Sequence, residues 1–157
     1  MRLALFQPDI PQNAGAIMRL GACFRVPVDV IEPCGFPFDD KRLKRAAMDY
    51  GAACDVARHP SWDDYLVDAR AQPSARLVLL TTSGAVSYSD FAFQPADRLI
   101  LGRESRGVPP EVRDAVDAAV RIPIAAEMRS LNVTTAAAIV LTEALRQLGF
   151  FDGKTTL

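Results

Sequence analysis

Short apolar runs alternate along the chain with stretches in which apolar residues recur every three or four positions. The runs at 3–6 and 26–31 read as buried strands. Pro27 fits the second only at its start or on a sheet edge, because it cannot donate to a ladder. Between them, 13–24 has helical character. Residues 39–50 place Leu43, Ala46, Ala47 and Tyr50 on one side of a helix, with Lys41, Arg42, Lys44 and Arg45 around the rest. A weak strand follows at 55–58, and Ser61 with Asp64 forms a capping box opening a helix through Ala71. Three more strands are predicted at 76–81, 98–101 and 119–122. The longest helix, 132–148, carries Val133, Ala136, Ala137, Val140, Leu141, Ala144 and Leu148 on one stripe and closes at Gly149.

Strands that alternate with helices predict an α/β fold, a parallel sheet covered by helices on both faces. Ligands of such sheets collect beyond the carboxyl ends of the strands, so the segments after Phe6, Leu80, Leu101 and Ile122 are the places to look. No linker, repeat or shift in composition divides the 157 residues, of which 50% are apolar, and one domain over 1–157 is expected. The net charge of −1, from 18 Lys and Arg against 19 Asp and Glu, excludes whole-surface attraction of polyanions. Any nucleic-acid contact must therefore be local. Cys23, Cys34 and Cys54 form no CxxC pair, which suits a reducing compartment and predicts a cytoplasmic protein. The opening apolar run is too brief for a signal peptide, and no later run approaches a membrane span.

Several chemistries drop out. The nine glycines make no GxGxxG, and Gly102 to Gly107 has P-loop spacing but continues into Val108-Pro109 instead of Lys-Ser/Thr. One histidine and scattered cysteines supply too few ligands for zinc. His59 stands before Pro60 with no GxSxG in the chain, and reads as a surface or turn histidine. Three segments keep a signal. Pro11-Gln12-Asn13-Ala14-Gly15 leads into a helix carrying Arg19, with Asn13 as plain helix cap or functional residue. Residues 102–109 gather Glu104 between two arginines. Ile122-Pro123 leads to Ser130-Leu131-Asn132, of which one caps the last helix and the other is free for a second task.

Taken together and in this order, the three segments resemble the SPOUT-class RNA methyltransferases of the 2′-O-ribose branch. Ile31-Glu32-Pro33, Gly35-Phe36, residues 39–43, Asp49-Tyr50 and residues 146–149 extend the likeness over nearly the whole chain. These features are similar to the small subfamily of tRNA (cytidine/uridine-2′-O)-methyltransferases acting on the wobble nucleotide of leucine tRNAs. Its members consist of the catalytic domain alone. The sequence departs from that pattern at Ser83, where Lys is frequent, and at Thr142, where Tyr is common.

The resemblance implies a C-terminal trefoil knot, a homodimer, S-adenosylmethionine as cofactor and the anticodon stem-loop of tRNA as partner, with neither metal nor membrane. It places the cofactor by Leu80, Gly102, Ile122, Ser130 and Leu131. It assigns catalysis to Arg19, Asn13, Glu104, Ser130 and Asn132. A guanidinium gives up its proton only above about pH 12. Arg19 is therefore expected to hold an RNA phosphate and the developing 2′-oxyanion rather than act as base, with Asn13 and Glu104 orienting it and the ribose while Ser130 and Asn132 position cofactor and substrate. The face with Lys41, Arg42, Lys44 and Arg45 is expected to meet phosphates, and dimerisation to cover the stripe of the last helix. Two alternatives are the same chemistry on another tRNA or ribosomal RNA nucleotide, and a catalytically silent RNA-binding module of the same fold.

Overall fold

The computed structural model describes residues 1–152. Seven strands, β1 (Arg2–Phe6), β2 (Val28–Ile31), β3 (Val56–His59), β4 (Leu77–Leu80), β5 (Val86–Ser87), β6 (Arg98–Leu101) and β7 (Ala118–Arg121), form one sheet in the order β3-β2-β1-β6-β4-β7-β5. Every pairing is parallel, as the alternation predicts. Pro27 lies just before β2, an interior strand whose ladder it leaves intact. The two-residue β5 escapes sequence reading, since Val86 and Ser87 are extended only because they pair with Val120 and Arg121.

Successive side chains of a strand point to opposite faces, and β1 divides accordingly. Leu3 and Leu5 join Ile17 and Met18 of α1 (Pro11–Phe24) and Val140, Leu141 and Ala144 of α5 (Val133–Gln147). Ala4 and Phe6 join Tyr65 and Ala69 of α3 (Trp62–Arg70) and Val112 of α4 (Pro110–Ala115) on the other side. The stripe of α5 is thus buried by the chain's own sheet: Ala137, Val140, Leu141 and Ala144 are fully covered. A second copy is not needed to cover it, which corrects the expectation from sequence.

The basic helix α2 (Lys41–Ala47) is shorter than its pattern, passing at Met48 into a 3-10 turn over Met48–Ala52. Asp40 caps it by accepting from the Arg42 backbone N–H at 2.7 Å. Leu43 and Ala47 are buried, while Lys41, Arg42, Lys44 and Arg45 are exposed as predicted. The contact with α1 is close because Gly15 has no side chain: a Cβ there would stand 2.4 Å from the Leu43 carbonyl oxygen and 2.9 Å from the Ala46 Cβ. Gly15→Ala is expected to lower stability by about 1–3 kcal/mol, the range for overpacking, since the obstruction is backbone. A urea midpoint equal to that of the unsubstituted protein would show that α2 gives way freely.

His59 is misread by sequence. It ends β3, stacks edge-on against Tyr65 at 5.1 Å between ring centroids, and places Nε2 3.2 Å from Asp29 Oδ1. Asp29, only 1% exposed, also accepts two 2.8 Å bonds from the Arg2 guanidinium. Arg98 lies 3.7 Å from Asp29 and bonds Asp68 at 2.8 Å. A carboxylate so deeply buried persists because cationic partners replace its water. The sequence shows no more than a lone His before Pro, since its partner stands 30 residues away.

Candidate active site at the carboxyl rim

The strand order changes direction between β1 and β6, and there the loops leaving the two strands separate, the usual place for a ligand in a parallel sheet. At Gln7 the chain leaves β1 with φ of +46°, a left-handed turn for a non-glycine residue. The loop after β6 folds back on itself through paired hydrogen bonds between Arg103 and Gly107, 3.0 and 2.9 Å long. A Cβ on Gly102 would meet Gly107 backbone carbon at 2.8 Å, and Gly107 has φ of +66°. Both glycines are therefore demanded by the turn.

Glu104 ties the first two loops. Its Oε2 accepts from the Asp9 backbone N–H at 2.9 Å and its Oε1 from Asn13 Nδ2 at 3.0 Å. Asp9 in turn receives the Ser105 hydroxyl and the Ser105 N–H. Asn13 Oδ1 then accepts from Asn132 Nδ2 at 3.1 Å, bringing in the third loop. The Oδ1 of Asn132 caps α5 through the Thr134 and Thr135 backbone N–H groups at 2.9 and 3.3 Å. The cap left open by sequence is Asn132, so Ser130 is the residue free for another task. Asn13 caps nothing: α1 begins at Pro11 after Ile10, and the Asn13 amide belongs wholly to this network.

Beside the network lies an open cleft of about 630 Å³, within the range of small-molecule sites. All five positions expected near a cofactor line it: Leu80, Gly102, Ile122, Ser130 and Leu131. Asn13, Glu104 and Asn132 line it too, with Ser83 and Thr82 from the loop after β4. Among the described residues, the backbone N–H and C=O groups of 129–131 make no hydrogen bond within the chain. Free backbone donors and acceptors between Ile122, Ile124 and Leu131 fit a flat heteroaromatic ring with polar edges. None of the three cysteines is among the residues that line the cleft, and burial, aided by Glu32, pushes the Cys34 thiol up to about 11 while burial raises Cys54 as well.

Arg19 lies elsewhere. It is exposed, outside the lining of the cleft, with Nη1 3.1 Å from Met48 Sδ and its guanidinium 5.2 Å from the centre of the Tyr50 ring. Within the chain Asn13 and Glu104 bond each other and the loops, so the expected contact that would orient Arg19 is not made there. Of the four basic residues of α2, Arg42 is engaged by Asp40 at 2.8 Å. The Asp40 carboxyl is held below its ordinary range by that guanidinium and by the Arg42 backbone N–H. Sequence reading missed Asp9 and Ser105. Their hydrogen bond spans 96 residues, and no local spacing signals such a pair. It noticed Arg103 and Arg106 only as flanking charges of Glu104, which bonds Asp9 and Asn13 instead, and it passed over Arg113 and Arg129; all four arginines line the cleft.

Three comparisons bear on this arrangement. A protein of Beijerinckia indica named tRNA (cytidine(34)-2′-O)-methyltransferase is 50% identical over 147 residues, 94% of this chain and 91% of that protein. A solved structure described as giving structural insights into the 2-OH methylation of C/U34 on tRNA superposes with a TM-score of 0.90 at 36% identity, covering 95% of this chain and 96% of the other. The SpoU methyltransferase AviRb of Streptomyces viridochromogenes, solved in complex with AdoMet, gives a TM-score of 0.85 at 26% identity, over 94% of this chain and 57% of its own. The three loops joined through Glu104 fall inside residues 1–142, over which the chain matches the SpoU rRNA methylase family, and the chain belongs to that family.

Proposed function

We propose that the protein is an S-adenosylmethionine-dependent methyltransferase that modifies the ribose 2′-hydroxyl of the wobble nucleotide of leucine tRNAs. The observation that carries this reading is the hydrogen-bonded series Asp9–Glu104–Asn13–Asn132, which fixes three distant loops at the mouth of one cleft. Names of relatives that cover nearly the same length support nucleotide 34 of tRNA as the substrate.

In this reading the cofactor supplies a methyl group on a sulfonium. The chain does the rest. Backbone groups of 129–131 pair with the edges of the cofactor's base while Ile122 and Leu131 cover its faces. The amides of Asn13 and Asn132, each fixed by the other, and the hydroxyl of Ser130 orient the ribose. An Arg19 guanidinium holds the neighbouring phosphate and the oxygen that gains negative charge, and the proton leaves to phosphate or water. Because Arg19 stands outside its own cleft, it meets the ribose either by leaving Met48 and Tyr50 or by reaching the cleft of a second copy in the homodimer that this reading includes. A cytoplasmic location and a C-terminal trefoil knot belong to the same proposal. The path of the chain supports the knot: β5 pairs outside β7, and Gln147 of α5 bonds the returning segment at Phe91 and Phe93.

Incubation with labelled cofactor and unmodified tRNA pools tests the reading. A label mapping to the wobble ribose of leucine tRNAs is expected; label on another nucleotide would replace the substrate, and cofactor binding without transfer would favour a silent module. Reversing Lys41 and Lys44 to Glu should weaken tRNA binding and flatten its salt dependence. Unchanged affinity and slope would remove α2 from the RNA surface.

A further inference from the structure

Arginines elsewhere in this protein are mostly neutralised. Of fifteen, seven form ion pairs with carboxylates: Arg2, Arg42, Arg58, Arg70, Arg76, Arg98 and Arg146. Arg121 spends its guanidinium on the Gly84 and Ala85 carbonyls. The cleft is different. Four arginines line it, Arg103, Arg106, Arg113 and Arg129, and among the described residues none of them meets a carboxylate. The one acidic residue of the lining, Glu104, already accepts from Asp9 and Asn13. Arg103 is the innermost, lying over the Phe6 ring at 5.4 Å with a buried Nε that has no partner. The other three are exposed and come from three separate elements: the loop after β6, helix α4 and the loop before α5.

Three exposed guanidiniums that line one cleft from separate elements, with no carboxylate to neutralise them, give that rim a local positive potential that attracts anions. A methyl donor carries a single carboxylate, too little for such a set, whereas a polynucleotide passing the cleft presents a phosphate at every nucleotide. Guanidinium is also the cation whose planar donors match phosphate oxygens in pairs. We propose that Arg106, Arg113 and Arg129 form a phosphate-binding rim that grips the RNA backbone on either side of the target ribose, a second electropositive site distinct from the face of α2. The proposal rests on the reading that the substrate is tRNA, and it makes the anticodon loop's phosphates, not its bases, the groups that seat the strand over the cleft.

The test is tRNA binding as a function of salt with the triple variant Arg106→Gln, Arg113→Gln, Arg129→Gln, beside a triple Arg→Lys variant. Arg25→Asn serves as the remote control, because Arg25 is exposed at the end of α1 near the amino ends of the strands and has a left-handed φ that Asn tolerates. Each lost phosphate contact on single-stranded RNA removes about 0.7 from the slope of log K against log salt. The Gln variant should therefore flatten by about 2 and bind tRNA roughly 10- to 100-fold more weakly near physiological salt. The Lys variant should keep most of the slope and Arg25→Asn all of it, with affinity for the demethylated cofactor and sedimentation behaviour unchanged throughout. Wild-type affinity and slope in the Gln variant would overturn the rim. So would a loss of cofactor affinity, which would give the arginines to the cofactor carboxylate, or dissociation of dimers, which would make them ion pairs between copies. A protein that binds tRNA with this arginine-dependent slope yet transfers no methyl group keeps the rim and loses the proposed activity.

Discussion

Replacing Arg19 by alanine is expected to cut methyl transfer to tRNA by about two to three orders of magnitude, the range for removing a donor aimed at a developing oxyanion. Binding of the cofactor should stay as in the unsubstituted protein, because Arg19 does not line the cleft. Folding should be little affected as well, since its contacts, the Met48 sulfur and the Tyr50 ring, are exposed. Lysine should not restore the rate: one ammonium cannot hold a phosphate and an alkoxide in the fixed planar fork of a guanidinium. Single-turnover methylation by Arg19→Lys across a pH series checks this. Near-normal rates climbing with pH would assign proton abstraction to the position and displace the clamp.

Glu104→Gln should cost about a hundredfold in transfer for another reason. Both carboxylate oxygens accept hydrogen bonds from N–H donors, one from Asp9 and one from Asn13. An amide supplies one acceptor and one donor, so one of the two N–H groups then faces another N–H. An unmet donor costs about 1–3 kcal/mol when fully buried, and less at this half-buried tie, but the misfit also passes along Asn13 to Asn132, the cap of α5. Loss of both transfer and cofactor affinity in a protein that keeps its far-ultraviolet spectrum is the expected outcome; full activity would show that the loops hold their places without this tie.

Mixing the two defective proteins separates the routes open to Arg19. If the guanidinium serves the cleft of a second copy, subunits of Arg19→Ala and Glu104→Gln associating at random rebuild one sound site in each mixed dimer, and about a quarter of the unsubstituted activity returns. If Arg19 swings within its own chain, none returns.

Much of this could be read from the chain alone. Periodicity separated strands 3–6, 76–81 and 98–101 from the helices, because burial on both faces of a parallel sheet demands continuous apolar runs while helices bury one stripe. It also gave the exposed side of α2 and the buried stripe of α5. The chemistry of Asn13, Glu104 and Asn132 was visible as residue types at the strand-to-helix turns, though not what each of them bonds.

Pairing across distance was beyond it. The sequence by itself determined most of the strands and helices, though not β5 or the end of α2, and also that the sheet is parallel and that any site gathers at its carboxyl rim; these follow from local preferences and from the sidedness of burial. Tertiary structure alone decided that Glu104 bonds Asp9 and Asn13 and not Arg19, that His59 serves the buried Asp29, and that four unpaired arginines share one cleft. The physical reason is range: a hydrogen bond or an ion pair is specified by where two side chains meet after β6 has been inserted between β1 and β4, and residues some 30 or 90 positions apart leave no trace of that meeting in their local sequence.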